Sequence, residues 1–457
     1  MTDLCVLMKP PNTSPLPQTP LDLGDNLRLR FAVPEDFDAL VDYIERVPEY
    51  SSPADPVAEW AHELMSGKHP TTRAGDFTVV EDTRTGKIVS SLCIIPQTWS
   101  YGGIPFGCGR IEHVATDPAY RRRGLVRAQM DAIHGLSASK GELMQSITGI
   151  PWYYRQFGYA YAIDLYYGRK VRAPLPDTKH TSRYRVRPLR ESDHAFVRAV
   201  YDHAARRQLF SVVRSDAHWE WELAGRSPDS EVYRPWLIIE DTAQTPVGYI
   251  QHHPFAAKPG PWLLSVRQCA LAPGISHLNV APDLPPALSR HVHSLWNTDG
   301  EDERAQPGLI EFVLGRDDPV YAGLPDSVRS SSWGYAWYIR IPDLAAFLRH
   351  VRPALERHLL GTPAEGYSGT LTLDFFRGGL RLAFAEGRIA DVAALNHSEV
   401  EPSDACFPDL TFLELLGGRR SYAQIKESDP DCRASDKAQV LLAALFPSFT
   451  GNLWHSD

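Results

Sequence analysis

Between Tyr101 and Ile133 the chain reads YGGIPFGCGRIEHVATDPAYRRRGLVRAQMDAI, and few folds accommodate that order of residues. The first half predicts a strand ending near Thr116. Leu125, Val126, Met130 and Ile133 then recur at helical spacing. Between strand and helix stand Arg121, Arg122 and Arg123, followed at once by Gly124. A strand that turns directly into a helix gathers unbonded amide N–H groups and the positive end of the helix dipole at one point. Anions settle there, diphosphates above all. The three arginines add charge beside the loop, and Gly124 lets a ligand approach the backbone. Leu125 and Val126 pin the helix to the sheet, and Arg127 faces solvent or a phosphate. The competing reading is a solvated basic cluster ahead of a surface helix. The turn is neither a Gly-Lys-Ser/Thr phosphate loop nor a GxGxxG dinucleotide turn.

The rest of the chain places this element inside a repeated architecture. Residues 1–24 are rich in proline and threonine and read as a mobile leader. LRLRFAVPEDFDALVDYIERV then predicts a strand, an acidic turn and an amphipathic helix. The same order returns at YRVRPLRESDHAFVRAVYDHA, where Arg185, Arg187 and Asp193 stand a constant distance after Arg28, Arg30 and Asp36. FTVVED and IVSSLCII flank a turn and predict a hairpin, ELMQSITGI a strand, PWYYRQFG a short helix and YAYAIDLYY a last strand. After Trp333 the pattern changes to a helical module, a short meander and further helices. Three units follow from this: 25–180, 181–340 and an α+β unit over 341–457. The fold class is α/β, with mixed sheets flanked by helices.

Composition narrows the function. At 457 residues, 43% hydrophobic and 23% charged, the chain is of multidomain globular type. No apolar run reaches membrane-span length, and the opening lacks a basic-then-apolar layout, so the expected location is cytoplasmic. The six cysteines have no CxxC spacing, which fits reduced thiols and no metal site. A net charge of −9 argues against nucleic acid as a partner. His252, His253, His291 and His293 read as surface residues.

Arg121-x-x-Gly124-x-Val126 resembles the R/Q-x-x-G-x-G/A signature of the Gcn5-related N-acetyltransferases (GNAT), with Val126 in the last place. With YYRQFGY about thirty residues downstream and the three-unit layout, the chain resembles the enhanced intracellular survival (Eis) acetyltransferases. The resemblance implies tandem GNAT folds followed by a sterol-carrier-protein-like C-terminal domain. It implies acetyl-CoA as co-substrate, bound by Val114, Ala115, Thr116, Arg121, Arg122, Arg123, Gly124, Leu125, Val126 and Arg127. The acceptor would be a small-molecule or peptide amine such as an aminoglycoside, polyamine or lysine, and the assembly a homo-oligomer, commonly a hexamer. The second unit has CALAPGISHLNVAPDLPPALS where the loop should be, and is expected to be a scaffold.

Acetyl transfer requires loss of a proton from the ammonium and benefits from a proton donor to the departing thiolate. Tyr154 matches the family's general acid, with Tyr153 beside it as the alternative; both also suit an amphipathic core. The family's base is the C-terminal carboxylate, which here is Asp457. Glu112, on the strand feeding the loop, is the rival base or ammonium anchor. His113 is a further substrate-contacting candidate, but the two neighbours share a face only if the strand bulges. A CoA- or lipid-binding sensor or scaffold without turnover is the alternative function.

Overall fold

The structure, a computed structural model, describes residues 19–47, 56–173, 182–253, 262–296, 308–324, 329–330, 334–408, 410–449 and 453. It opens with β1 (Leu21–Gly24) and β2 (Leu27–Phe31), then α1 (Phe37–Arg46) and α2 (Pro56–Met65). The strands β3 (Phe77–Asp82), β4 (Lys87–Tyr101) and β5 (Ile104–Thr116) form a meander, followed by α3 (Leu125–Ser139), β6 (Met144–Ile147) and β7 (Ala160–Leu165). Next come β8 (Arg169–Ala173), β9 (Arg185–Pro188), α4 (His194–Ala205), β10 (Phe210–Val212) and α5 (Asp216–Glu220). β11 (Trp236–Glu240), β12 (Pro246–His252), β13 (Trp262–Leu271), α6 (His277–Val280), α7 (Leu284–Trp296) and β14 (Gly308–Phe312) follow. The short β15 (Arg329–Ser330) leads to β16 (Tyr335–Arg340). The last part holds α8 (Leu344–Leu359), β17 (Gly369–Asp374), β18 (Gly379–Ala385), β19 (Arg388–Leu395), β20 (Ala405–Cys406), α9 (Phe412–Leu416), α10 (Tyr422–Ser428), β21 (Arg433–Ala434) and α11 (Asp436–Leu445).

Three mixed or antiparallel sheets result. The first runs β1-β2-β3-β4-β5-β6-β16-β7 with β10 added along β4, the second β15-β8-β14-β13-β12-β11-β9, and the third β19-β18-β17-β20-β21. The α/β class is as expected, but strands cross the expected unit borders. β8, from within 25–180, lies in the second sheet, and β10 and β16, from within 181–340, lie in the first. β16 enters between β6 and β7, pairing Tyr338 with both Ile147 and Tyr161. Ala336, Trp337, Tyr338 and Ile339 are buried there without alternation, as a strand covered on both faces requires. The end of the expected leader is also ordered. Leu21–Gly24 form β1, joined to β2 by a two-residue turn in which Asp25 (φ 50°) and Asn26 (φ 59°) are left-handed. Asp and Asn tolerate that geometry, and the turn matches the strand twist.

The repeated sequence opening is repeated in three dimensions. Arg30 forks onto Asp36 (2.6 and 2.8 Å) and reaches Glu81 through Nε (3.0 Å). Arg187 forks onto Asp193 (2.6 and 2.9 Å) and reaches Glu240 (2.5 Å). Each aspartate also accepts the N–H of the residue three before it, Val33 or Arg190, at 2.8 Å. The same bidentate Arg–carboxylate contact thus ties the first strand to the start of the first helix in both units.

Packing positions the site. Met130 and Ile133 of α3 lie on one face of the first sheet against Leu92, Ile94 and Ile111. Leu40, Tyr43 and Ile44 of α1 and Trp60 and Leu64 of α2 cover the other face, against Phe77, Val79, Cys93 and Ile95. α8 closes the end of the sheet through Phe347, Leu348 and Val351 against Trp99, Phe106 and Trp337. The five described cysteines are free thiols, and among the described residues no helix is long and apolar enough to cross a membrane.

Trp337 carries the joint between the units: it is fully buried, 5.8 Å edge-on to Trp99. Trp337→Ala is expected to destabilise the protein by about 3–5 kcal/mol in urea denaturation. A loss below about 1 kcal/mol would mean that the inserted strand contributes little.

Candidate active site

The site is built where β5 and β6 part. They pair in parallel from Cys108↔Met144 to Ile111↔Ile147; β6 ends there while β5 continues to Thr116. On its other edge β5 slips in register against β4, from Cys93↔Glu112 to Ser91↔Ala115, so that His113 and Val114 share a bulge. His113 takes a left-handed conformation (φ 54°) to make it. The bulge turns the strand and re-aims the side chains next to it. Beyond it, Ala115 and Thr116 remain tied to β4: the Ser90 hydroxyl donates to the Ala115 carbonyl (2.9 Å) and meets the Thr116 hydroxyl (2.8 Å).

The bulge brings Glu112 and His113 to one face of the sheet. Glu112 accepts from Arg110 Nε (2.8 Å), and the Arg110 guanidinium lies 5.7 Å from Trp60 and 5.3 Å from Trp337. His113 packs its ring 4.5 Å from Trp60 and 6.2 Å from Phe77. Burial, then the Arg110 charge, push the His113 imidazole down to about 3, so it is neutral at neutral pH and a poor base. Burial raises the Glu112 carboxyl against the opposing pull of Arg110. Glu112 is thus the better proton acceptor, and His113 is a packed aromatic.

On the far side of the parting, the RRRG turn leads into α3. The Asp117 carboxylate accepts the Ala119 N–H (2.8 Å) and the Tyr120 hydroxyl donates to Asp82 (2.8 Å), which fixes the entry to the loop. Arg121 donates to the Thr116 carbonyl (3.1 Å), and Arg123 lies over the Tyr120 ring (5.1 Å). Arg122 (φ 63°) and Gly124 (φ 77°) are left-handed. A Cβ on Gly124 would meet no protein atom within 4 Å, so its absence leaves open space at the helix N-terminus. The first helical bond is Ala128 N–H to the Gly124 carbonyl (3.1 Å), and the amides of Gly124–Arg127 have no acceptor in the helix. Leu125 is buried and Val126 partly so, anchoring the turn, whereas Arg121, Arg122, Arg123 and Arg127 are exposed. Four exposed arginines thus lie on the turn and first helical residues beside four amides without a helical acceptor, an arrangement that fits an anion such as a diphosphate.

Arg127 also links this turn to the tyrosines. It donates to Gln156 (2.8 Å) and lies 5.0 Å from the Phe157 ring, both on the 3-10 helix Tyr153–Phe157. Tyr154, buried, points between the rings of Tyr153 (5.1 Å) and Tyr338 (5.6 Å). Its hydroxyl makes no hydrogen bond among the described residues. A Cβ on Gly149 (φ 128°) would stand 3.5 Å from that oxygen. Burial, reinforced by the Glu112 carboxylate and Tyr153, holds the Tyr154 phenol well above its ordinary range, so it is protonated and able to donate. Tyr153 is half-buried, and burial raises it against the pull of Arg127. Asp457 lies outside the described residues.

Sequence reasoning missed the groups that hold this arrangement. The Tyr335 hydroxyl donates to the Gly149 carbonyl and accepts the Gly149 N–H (3.1 Å), while the Tyr338 hydroxyl donates to the Ile150 carbonyl (3.3 Å). Both come from β16, nearly two hundred residues downstream. Trp60 comes from α2, and nothing in local spacing connects these residues. Arg110 could have been found, because it stands two residues before Glu112 on one strand face.

Comparison with known proteins bears on the fold and the family of the first unit. Residues 28–162 match the family model described as the acetyltransferase (GNAT) domain. A search of curated proteins found no match. Among solved structures, a GCN5-related N-acetyltransferase from Anabaena variabilis ATCC 29413 is similar, at 16% identity and TM-score 0.65 over 93% of this chain and 99% of that one. A probable N-acyltransferase from Enterococcus faecalis V583 has 13% identity and TM-score 0.67 over 94% and 100%. Eis1 from Mycobacterium abscessus has 17% identity and TM-score 0.59 over 93% and 98%. Residues 28–162 thus match the GNAT acetyltransferase domain, and along nearly its whole length the chain has the fold of the Eis1 structure.

Proposed function

We propose that the protein transfers acetyl from acetyl-CoA to a primary amine by direct attack. The observation that carries this reading is the set of amides at Gly124–Arg127, which have no backbone acceptor among the described residues, beside the exposed Gly124 and four exposed arginines. They would take the diphosphate, and the parted edge of β5 beyond Ile111 would lead the pantetheine arm towards Tyr154. The amine nitrogen forms its bond to the thioester carbonyl carbon as the carbon–sulfur bond breaks. Tyr154 gives its proton to the departing thiolate. Glu112, whose carboxyl is raised by burial, takes the proton that the ammonium must lose. In this reading residues 25–180 catalyse, 181–340 serve as scaffold, and 341–457 form a sterol-carrier-like tail.

The test is release of free thiol from acetyl-CoA with a panel of aminoglycosides, polyamines and lysine peptides. Tight CoA binding without turnover of any amine would overturn the reading. Tyr154→Phe is expected to lower kcat by about 10²–10⁴-fold with little change in the KM for acetyl-CoA. Tyr153→Phe should leave kcat near wild type; the reverse pattern would move the acid to Tyr153. Gly124→Asp puts a carboxylate at the diphosphate point in a left-handed backbone position. It should raise the KM for acetyl-CoA at least about tenfold, some 1.4 kcal/mol. An unchanged KM would place the coenzyme elsewhere.

A further inference from the structure

The second unit has kept the parting of strands and lost the phosphate loop. β13 pairs in parallel with β14 from Trp262↔Gly308 to Val266↔Phe312, and Arg267 is the first residue past that ladder, as Glu112 is past Ile111↔Ile147. The ladder to β12 slips at the same point, from Gln251↔Gln268 to His252↔Val266, so Arg267 occupies a bulge. The helix that follows cannot cradle a diphosphate. α7 begins Leu284-Pro285-Pro286, which removes two of the N–H groups that α3 presents. The Asp283 carboxylate already stands in front of it, accepting the N–H groups of Arg183 (2.8 Å) and Tyr184 (3.1 Å).

The bulge collects cations instead. His253 donates its N–H to the Ser265 carbonyl (2.9 Å) and His252 donates its own to the Pro235 carbonyl (3.1 Å). Arg234, His253 and Arg267 therefore stand level on three neighbouring segments. The Arg267 guanidinium lies 4.9 Å from the Tyr166 ring, and its buried Nε has no hydrogen-bond partner among the described residues. Among the described residues Arg234 donates to the carbonyls of Glu231 (2.6 Å) and Tyr233 (2.7 Å), and the Glu231 field reaches it. Glu311, whose field reaches Arg267, is engaged by Lys170 (3.3 Å). Neither guanidinium has an ion-pair partner among the described residues. Burial and the neighbouring Arg267 charge pull Arg234 down to about 10, and burial lowers Arg267 as well. The same two charges, added to burial, keep His253 neutral. His252 and His253, expected at the surface, are buried and partly buried.

Two neighbouring, partly buried cations that no carboxylate pairs directly among the described residues are costly, and an anion with several oxygens offsets that cost. We propose that the bulge of the second unit is an anion site, in which Arg267 and Arg234 hold the oxygens of a phosphate or carboxylate group. Guanidinium forks suit both, because they bind two oxygens at once. The site is separate from the diphosphate loop and does not depend on the acetyl-transfer reading.

The test is thermal unfolding of the full chain at constant ionic strength, with inorganic phosphate in one titration and succinate in another, each balanced against chloride. A saturable rise in Tm is expected with at least one anion, and the one that acts identifies the group. In Arg267→Met the rise should vanish or need at least tenfold more anion. Arg267→Lys keeps the charge but loses the fork, and should shift the titration in the same direction by less. No saturable rise with either anion would overturn the site. So would wild-type titrations in both variants, which would assign the effect to the α3 loop.

Discussion

β5 runs on past the end of its parallel partner β6 and bulges on its other edge, against β4, and the site depends on that parting. His113, in a left-handed conformation, forces β5 out of register with β4 just where β6 ends. From that point β5 runs on beside an open wedge rather than beside a strand. One side of the sheet then presents Glu112, Arg110 and Trp60, the other the α3 turn and Tyr154. An acyl group placed in the wedge would be reached by an acceptor from the first side while its coenzyme lies along the second. A regular ladder through Thr116 would close the wedge and leave the arginine turn as a surface ornament.

The strength of the arrangement lies in long-range supports. β16 returns from beyond the second unit to fill the gap between β6 and β7, and its tyrosines grip the backbone at Gly149 and Ile150. The loop that borders the Tyr154 hydroxyl is thus held by hydroxyl groups from another part of the chain. Arg127 adds a second brace from the helix that presents the amides. Tyr154 and the α3 turn are therefore held in place by packed elements rather than by a free loop.

Much of this was legible in the sequence, for identifiable reasons. The strand, arginine turn and α3 could be read because the apolar spacing changes from two to helical around a glycine. The duplication was visible because Arg30–Asp36 and Arg187–Asp193 are local pairs that fix one geometry with few residues. What could not be read was pairing between distant segments. Nothing near Tyr335 marks it as a neighbour of Gly149, and the all-buried run Ala336–Ile339 has no alternation to reveal its partners. β1 was hidden because four residues beside a proline-rich stretch are too short a pattern. The bulge entered the sequence reading only as a condition on Glu112 and His113 sharing a face, and the structure supplies it through one residue's left-handed backbone.

The two repeated units differ sharply at the start of one helix. The first keeps Gly124 and a full set of amides at its helix start; the second begins the equivalent helix with paired prolines behind an aspartate. The decisive question is whether the first set of amides is where the coenzyme is held. Hydrogen–deuterium exchange at the backbone of Arg122–Arg127, with and without saturating CoA, answers it directly. Slowed exchange at those amides on adding CoA is the predicted result. Unchanged exchange there, in protein shown by calorimetry to have bound CoA, would contradict the account.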